Sequence, residues 1–389
     1  MIIYKAYKFR IYPNNKQKEL INKSFGCSRY VYNYYLNKKK DNYKLNKNNL
    51  SLKDIKHDLV LIKRDNTFLK KVDSMCLTNS LEDLDASYTN FFEKRGSFPK
   101  FKVKGIKDSY KTDLIKREYN GTTYFNIELD IKEKLIKLPK LGYMKIRGYR
   151  NLKEFDKDIK NVTISKEAEK YYVSVCTCEN IVEHPFKLLN VIGIDLGVKD
   201  LVITSDGVKY KKLNTKRVEK HIEDMQRRLS RCEKGSIRRY KLKLKIKRLY
   251  IKLKNMRKYY IHKITKELTD ENDMIIAENL NVKGMISKEK RISKYISKHI
   301  TNASFSEIKR VLNYKMKWKG KKLLEVNTYF PSSQICNHCG DKNKKVKDLS
   351  IRKWECDKCG YIHDRDINAG LNVLYKGLDM YFKERYEQA

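Results

Sequence analysis

The sequence predicts a multidomain α+β protein: a small β-barrel interrupted by a helical insert, then an α/β domain with a helical hairpin and an inserted cysteine ribbon. Three observations predict this class. The chain has 389 residues, more than one hydrophobic core usually holds. Helical periodicity over residues 14–95 gives way to short alternating segments over 98–186. Two Cys-x-x-Cys pairs then stand between the last predicted strand and the last predicted helix.

Charge is the strongest feature of the composition. Lys and Arg number 88 against 47 Asp and Glu, a formal net charge of +41. Such a surface attracts nucleic acid or anionic lipid. A membrane is disfavoured, because no apolar run approaches the ~20 residues of a spanning helix and no signal peptide opens the chain. We therefore expect a cytoplasmic, nucleoid-associated protein whose nine cysteines serve metal binding, redox chemistry or burial rather than structural disulfides.

The N-terminal half begins with a half-buried strand, because apolar and basic residues alternate over 4–12 before Pro13 stops the run. Ser51 and Asp54 form a capping-box pattern and Asp73 opens a further helix, so a helical insert is expected. Short strands follow and, with the first strand, suggest the barrel; they are predicted at 122–127, 135–138, 143–147, 161–165 and 171–177.

The C-terminal half starts with VIGIDLGVKD, an apolar strand that ends in Asp195. A second strand, LVITSDG, follows, with turn signals at 204–207. The tract 216–263 contains KLKLKIK, which resembles a strand locally. Its apolar residues step by three and four over the wider window, however, and predict an antiparallel helical hairpin. The order is completed by a strand ending in Glu278, a helix capped by Asn302, a strand at 322–326 and a helix at about 367–381.

The most specific local motif is a pair of Cys-x-x-Cys units separated by sixteen residues, formed by Cys336, Cys339, Cys356 and Cys359. This spacing is typical of a zinc ribbon. Four thiolates complete a tetrahedron and leave no open position, so the zinc is expected to be structural. His338 and His363 are alternative ligands, although four thiolates already suffice.

Carboxylates stand at three well-spaced places: Asp195 and Glu278 end strands, and Asp364 and Asp366 stand where the last helix begins. The order of elements is that of ribonuclease H-like domains, in which the two acid-bearing strands are neighbours and the last helix crosses their ends. Converging carboxylates suit two Mg²⁺ or Mn²⁺ ions and phosphodiester hydrolysis. Each acid alone also fits an ordinary role in a turn or a helix cap.

Eight segments resemble motifs of the OrfB/TnpB family of transposon-encoded, RNA-guided DNA endonucleases, which are related to type V CRISPR effectors, and they occur in the family's order. They are YKFRIYP, SFGCSRYVYNYYL, FPKFK, IGIDLGVKDL, IIAENLNVKGM, PSSQICNHCG, RKWECDKCG and HDRDINAGLNVL. The resemblance implies that Asp195, Glu278 and Asp366 form a RuvC-like catalytic triad and that the ribbon cysteines hold zinc. Asp366 is preferred to Asp364 because the family's last acid stands two residues before an Asn, here Asn368.

The resemblance also implies a layout and partners. The barrel would be a wedge domain, residues 1–13 and 96–188, around a helical recognition domain, 14–95. A RuvC-like nuclease domain, 189–331 and 362–389, would enclose the zinc ribbon, 332–361. The partners would be a guide RNA from the transposon end and target double-stranded DNA, and a monomer is favoured. Gly370 departs from the family's usual Ala and is expected at most to loosen the last helix.

Ten basic residues are expected to contact nucleic acid: Arg10, Lys100, Lys102, Arg227, Arg228, Arg238, Arg239, Lys245, Arg248 and Arg352. Three alternatives stay open beside the guided endonuclease. A strand-transfer transposase would use the same acids, and a non-cleaving regulator of transposition would keep them as relics. The segment GIDLG also opens sugar-kinase and chaperone ATPase folds, but no further Gly-rich nucleotide loop follows.

Overall fold

We describe a computed structural model of the chain for residues 1–148, 158–180, 188–197, 199–280, 304–348 and 350–387. The chain forms two compact units, Met1–Ile181 and Val182–Ala389. The predicted helix cap Asn302 lies outside the described residues. Among the described helices, none is both long and apolar enough to cross a membrane.

The first unit opens with one strand and three helices: β1 (Ile2–Tyr12), α1 (Asn15–Asn46), α2 (Leu52–Asp65) and α3 (Ser74–Phe92). The predicted caps are confirmed. The Ser51 hydroxyl accepts a hydrogen bond from the Asp54 backbone N–H, and the Asp54 carboxylate accepts one from Ser51 N. Asp73 Oδ1 likewise accepts from Met75 N. Local side-chain acceptors thus set where both helices begin, because they satisfy the free N–H groups of the first turn.

The main sheet of the first unit joins β1 to six further strands: β2 (Ser109–Asp113), β5 (Glu128–Asp130), β6 (Leu135–Leu138), β7 (Gly142–Arg147), β8 (Ile159–Glu167) and β9 (Lys170–Asn180). Their order is β2-β8-β9-β1-β7-β6-β5, and every pairing is antiparallel. Within the described residues the edge strands β2 and β5 do not pair with each other. The predicted barrel is therefore corrected to an open half-barrel.

A second correction concerns the predicted strand 122–127. Its residues form β4 (Thr122–Phe125), which pairs with β3 (Lys116–Tyr119) in a separate hairpin outside the main sheet. All eight residues of these two strands are exposed. Alternation of residue types predicts a strand but does not say which sheet it joins, because the pairing partner is set by contacts distant in sequence.

The second unit is built on a five-stranded sheet: β10 (Val191–Asp195), β11 (Asp200–Thr204), β12 (Lys209–Lys211), β13 (Met274–Glu278) and β14 (Lys322–Val326). The order is β12-β11-β10-β13-β14, with β10, β13 and β14 parallel and β11 and β12 antiparallel. The prediction that the two acid-bearing strands are neighbours is confirmed, because β10 pairs directly with β13. Their apolar residues are buried, as in a sheet covered on both faces.

Four helices are described in the second unit: α4 (Lys216–Ser230), α5 (Ile237–Glu271), α6 (Phe305–Trp318) and α7 (Arg365–Tyr386). The helical interpretation of KLKLKIK is confirmed, since 241–247 lies inside α5. Helices α4 and α5 form the predicted antiparallel hairpin. Arg257 of α5 pairs with Glu219 at 2.9 Å, and Tyr250 Oη, about two turns earlier in α5, accepts from Gln226 at 3.0 Å.

Helix α7 lies unusually close to the sheet. A Cβ atom added to Gly193 of β10 would overlap the Gly370 carbonyl oxygen and lie 2.8 Å from Leu374 Cβ. About two turns after Gly370, a Cβ on Gly377 would overlap Ile276 Cγ2 of β13. A Cβ on Gly370 itself would lie 3.2 Å from Ser205 N, just past β11. Gly370 therefore allows tight helix–sheet packing, which the sequence did not predict.

We expect Gly193→Ala to lower the free energy of unfolding by about 1–3 kcal/mol, because a backbone carbonyl has to move to admit the methyl group. Urea unfolding followed by circular dichroism measures this. Gly26→Ala in α1 is the matched control, since a Cβ there meets nothing within 4 Å. That change should be neutral or stabilise by up to about 1 kcal/mol through helix propensity. Equal unfolding of both variants would contradict the close packing.

Candidate active site and metal centre

Two of the predicted acids lie side by side at one edge of the second sheet. Strands β10 and β13 are parallel and pair in register from Val191 with Met274 to Ile194 with Ala277. Asp195 and Glu278 are the next residues of their strands and end them. The carboxyl ends of neighbouring parallel strands meet at the same edge, which is where open α/β sheets bind ligands.

Helix α7 brings the third predicted acid to the same edge. Asp366 stands in its first turn, and together with Asp195 and Glu278 it lines a cleft of about 410 Å³. The cleft is closed on other sides by residues 330–334 and by two arginines, Arg352 and Arg365. The carboxylate oxygens of the three acids are not all within 4.8 Å of one another; in the described part of the chain only the ribbon thiols form a cluster that tight.

The electrostatics of the cleft follow from burial and like charge. Burial, and then the charge of Asp366, raise the pKa of Asp195 from 3.8 to about 6. Burial, and then the charge of Asp195, raise the pKa of Glu278 from 4.5 to about 7. Asp195 therefore interacts with both other acids. A site of this kind has a deficit of positive charge, which a bound cation would relieve.

Asp364, the neighbouring acid of the same motif, has a different role. Its Oδ1 caps α7 by accepting from Asp366 N at 3.1 Å and Ile367 N at 3.3 Å, and its Oδ2 accepts from Lys209 Nζ at 2.7 Å. Against the effect of burial, these hydrogen bonds and the Lys209 charge lower the pKa of Asp364. Asp364 is absent from the cleft lining, so of the two acids only Asp366 faces the other carboxylates.

An arginine of the ribbon contacts the cleft directly. Arg352 Nη1 lies 3.3 Å from Asp366 Oδ2 and 3.4 Å from Oδ1. Its side chain is 50% exposed, against 19% for Asp366, so the pair is open to solvent on the arginine side. Such a pair contributes little to stability and can open readily. The sequence predicted Arg352 as a nucleic-acid contact, and the structure gives it a carboxylate partner inside the cleft.

The four predicted zinc ligands meet at one point. The Sγ atoms of Cys336 and Cys359 are 3.6 Å apart, as are those of Cys339 and Cys356, and all four lie within 4.8 Å of one another. Zinc–sulfur bonds of about 2.3 Å in a tetrahedron require sulfur–sulfur distances of about 3.8 Å. The cluster therefore fits a structural zinc ion. His363, the nearer alternative ligand, lies 3.0 Å from Cys336 Sγ and outside the cluster.

Two asparagines that the sequence analysis missed attach the ribbon to α7. Asn372 Nδ2 donates to the carbonyls of Ser332 and Ile335, at 2.8 and 2.6 Å, and Asn368 Nδ2 also donates to Ile335 O. Asn368 Oδ1 accepts from Asn337 N at 3.1 Å. Both asparagines are buried, 1% and 6% exposed. The sequence did contain a signal for this contact: two amide side chains stand four residues apart, on the same face of the last helix, where buried polar groups need hydrogen-bond partners.

Arg365 was also missed, and it links the same elements from the opposite side. It is 6% exposed, and its Nη1 donates to Asp348 O at 2.6 Å, while its backbone N–H donates to Arg352 O. Its charge opposes the rise in the pKa of Asp195. Arg365 therefore holds the ribbon residues around Arg352 against the start of α7.

The other predicted nucleic-acid contacts differ in what they touch. Arg239 Nη1 donates to Leu229 O and Cys232 O at the C-terminal end of α4, which is a structural role. Lys102 pairs with Asp83, and Arg10 lies partly buried over the Tyr12 ring. The remaining predicted residues are exposed: Lys100, Arg227, Arg228, Arg238, Lys245 and Arg248. Their nucleic-acid contacts stay predictions.

Comparison with known proteins finds relatives that match this chain over nearly its whole length. A Streptomyces pristinaespiralis protein, named as a candidate RNA-guided DNA endonuclease, is 31% identical over 382 residues and covers 97% of this chain and 90% of its own. An Escherichia coli protein named in the same way is 31% identical over 385 residues, covering 96% and 92%. The chain belongs to the OrfB/TnpB family. The resemblance predicted from the sequence motifs is thereby confirmed.

Family models match this TnpB-family chain in three places: a "Helix-turn-helix domain" at 1–48, a "Probable transposase" at 174–289 and a "Cas12f1-like, TNB domain" at 305–373. In this chain residues 1–48 form β1 and the single long helix α1. A solved structure of a Cas12f1–sgRNA–target DNA complex matches with a TM-score of 0.63 at 14% identity, covering 96% of this chain and 98% of that one. This likeness shows a shared fold.

The raised pKa values predict how stability depends on pH. Folded Asp195 and Glu278 bind protons more tightly than the unfolded chain does, so the free energy of unfolding falls as pH rises from about 4 to 7. Without divalent ions, Glu278→Gln should raise the free energy of unfolding by about 1–2 kcal/mol at pH 8. The same variant should make that free energy fall less steeply with pH. Urea titrations at several pH values measure both effects. Exposed Glu384→Gln is the control and should change it by less than about 0.5 kcal/mol.

The thiol cluster predicts a metal-dependent ribbon. Cys356→Ser should reduce bound zinc from about one ion per chain to almost none, because three ligands hold the ion much less tightly than four. Elemental analysis of the purified protein measures this directly. Cys232→Ser is the matched control: that thiol is only partly exposed and donates to Arg228 O, far from the ribbon in sequence. Unchanged zinc in Cys356→Ser would exclude the cluster as the site.

Proposed function

We propose that this TnpB-family protein is a transposon-encoded, RNA-guided DNA endonuclease that hydrolyses phosphodiester bonds at Asp195, Glu278 and Asp366. The observation that carries the proposal is the arrangement of these acids. They come from two parallel strands and one helix, up to 171 residues apart in sequence, and line one cleft. Buried like charges are costly, and a fold keeps them together mainly where a cation or catalysis uses them.

The three carboxylates would hold two Mg²⁺ or Mn²⁺ ions. Hard oxygen donors fit these ions, and acids spread around a cleft suit two ions about 4 Å apart better than one. When bound, such ions activate a water molecule and stabilise the leaving oxygen. Asp195, which interacts with both Glu278 and Asp366, would help each of them to hold the ions.

The contact between Arg352 and Asp366 can open to leave that carboxylate for an ion. The guanidinium makes long contacts of 3.3 and 3.4 Å and is half exposed, so its release costs little. Arg352 also lines the cleft, and its backbone carbonyl accepts a hydrogen bond from Arg365 N, which holds this part of the ribbon in place. A phosphate placed between the carboxylates and the ribbon is the natural new partner for this guanidinium.

The guide RNA and the DNA target rest on the family and on charge. The relatives at 31% identity are named for RNA-guided DNA cleavage, and this chain carries a net charge of +41 to match phosphate-rich partners. Base pairing would supply specificity while the protein reads shape. Sequencing the RNA that copurifies with the protein tests this: one discrete structured RNA supports a guide, and bulk cellular RNA contradicts it.

The motif HDRD provides a matched pair of variants for the catalytic assignment. Asp366→Asn, like Asp195→Asn, should slow cleavage of guide-matched DNA by about 10³-fold or more, because several kcal/mol of transition-state stabilisation depend on the ions. Asp364→Asn should stay within about tenfold of wild type, since Asn is also a good helix cap. Rates come from a gel assay of plasmid cleavage with Mg²⁺.

Three outcomes would contradict parts of the proposal. If Asp364→Asn and Asp366→Asn slow cleavage equally, the cleft geometry does not identify Asp366 as the catalytic acid of the pair. No cutting by the wild-type protein with its own RNA would indicate a non-cleaving regulator. Joined products on supplying transposon ends would indicate strand transfer, which uses the same acids but a different nucleophile.

A further inference from the structure

A loop of the first unit combines exposed aromatic and basic side chains. Residues 94–107, KRGSFPKFKVKGIK, contain six basic residues and no acidic residue. Four large apolar side chains of the loop are exposed to solvent: Phe98 by 40%, Phe101 by 48%, Val103 by 60% and Ile106 by 65%. Contiguous exposed apolar surface on a protein marks a binding site more often than a defect.

The aromatic rings of this loop continue into α3. Phe98 packs edge-on against Phe91 and Tyr88, with ring centroids 5.2 and 5.6 Å apart, and Phe92, at the end of α3, is 66% exposed. The ammonium of Lys40 lies 5.2 Å from the centroid of Phe98 and 4.7 Å from that of Phe101. Exposed rings and cations therefore alternate across one surface, which we call the stacking loop (94–107 with Phe92).

The stacking loop is held in place by the helices beneath it. The side-chain amide of Asn33 makes both hydrogen bonds with the Lys102 backbone, at 3.0 and 2.8 Å. Pro99 is buried. Asp108 accepts from Gly105 N and pairs with Arg29, both at 3.1 Å. A surface already fixed in shape loses little conformational entropy when a partner binds.

We propose that the stacking loop binds unpaired nucleotides of a nucleic-acid strand, whose bases stack on Phe101 and Phe92 while the phosphates meet the loop's lysines. Exposed rings have no use against a duplex whose bases are already stacked, whereas unpaired bases offer free faces. A second copy of the chain is the less suitable occupant, because two loops with six positive charges each would repel. The site lies outside the carboxylate cleft, so it does not depend on the proposed cleavage.

The test compares Phe101→Leu with wild type, since leucine keeps apolar volume but removes the ring face. The full chain, freed of copurifying nucleic acid, is titrated with labelled oligo(dT) in about 0.3 M salt without added Mg²⁺, where general phosphate attraction is weak. We expect Phe101→Leu to weaken oligo(dT) binding about 5- to 20-fold and binding of a blunt duplex by less than twofold. Phe68→Leu, 43% exposed elsewhere in the same unit, is the control and should match wild type.

Two further readouts separate stacking from charge. An oligonucleotide with 2-aminopurine should lose fluorescence on the wild-type protein and keep it on Phe101→Leu, because stacking quenches the base. Replacing Lys100 and Lys104 with Gln should instead reduce the slope of log affinity against log salt, by about 1.4 for oligo(dT) and about 1.8 for the duplex, because each lost phosphate contact contributes about 0.7 and 0.9.

Either of two results would overturn the proposal. One is equal oligo(dT) affinity and quenching for Phe101→Leu and Phe68→Leu. The other is a change in molar mass by light scattering in Phe101→Leu, which would identify the surface as a contact between copies of the chain. Neither result bears on cleavage at the carboxylate cleft.

Discussion

The candidate site depends on the close approach of helix α7 to strand β10. Gly193 leaves no side chain between the strand and the Gly370 carbonyl, so the helix lies almost backbone to backbone on the sheet. This contact sets the position of Asp366 relative to Asp195, because a helix that stood further from the sheet would carry its first turn away from the strand ends. The same helix holds the ribbon through Asn368 and Asn372, so ribbon and carboxylates share one support.

The charges of the cleft explain why the two arginines are there. Burial, and then the charge of a neighbouring carboxylate, raise the pKa values of Asp195 and Glu278: Asp366 is that neighbour for Asp195, and Asp195 for Glu278. Arg365 is buried and fixed by backbone carbonyls, so its charge is a permanent part of the site. Arg352 is half exposed and its guanidinium pairs with Asp366 through long contacts, so it can exchange that partner for another anion. One arginine is structural and the other is exchangeable.

Much of the fold was predictable because it follows from local patterns. Capping residues such as Ser51 and Asp73 marked the starts of helices, and the three- and four-residue steps of apolar side chains correctly outweighed the strand-like KLKLKIK. The half-barrel was not predictable as such. Whether a sheet closes, and whether β4 joins it or pairs with β3, is decided by hydrogen bonds between segments distant in sequence.

The sequence by itself determined which residues are candidates: the three acids, the four cysteines and the order of strands and helices that carries them. Residue type and spacing along the chain are local properties, so the sequence alone shows them. The family resemblance already preferred Asp366 to Asp364, but only the tertiary structure gave the physical reason, with Asp366 in the cleft and Asp364 at the helix cap. The tertiary structure also placed Arg352 against a carboxylate and gave Gly370 its packing role. These are pairings between elements far apart along the chain, and the free energy of such contacts comes from packing and charge in three dimensions.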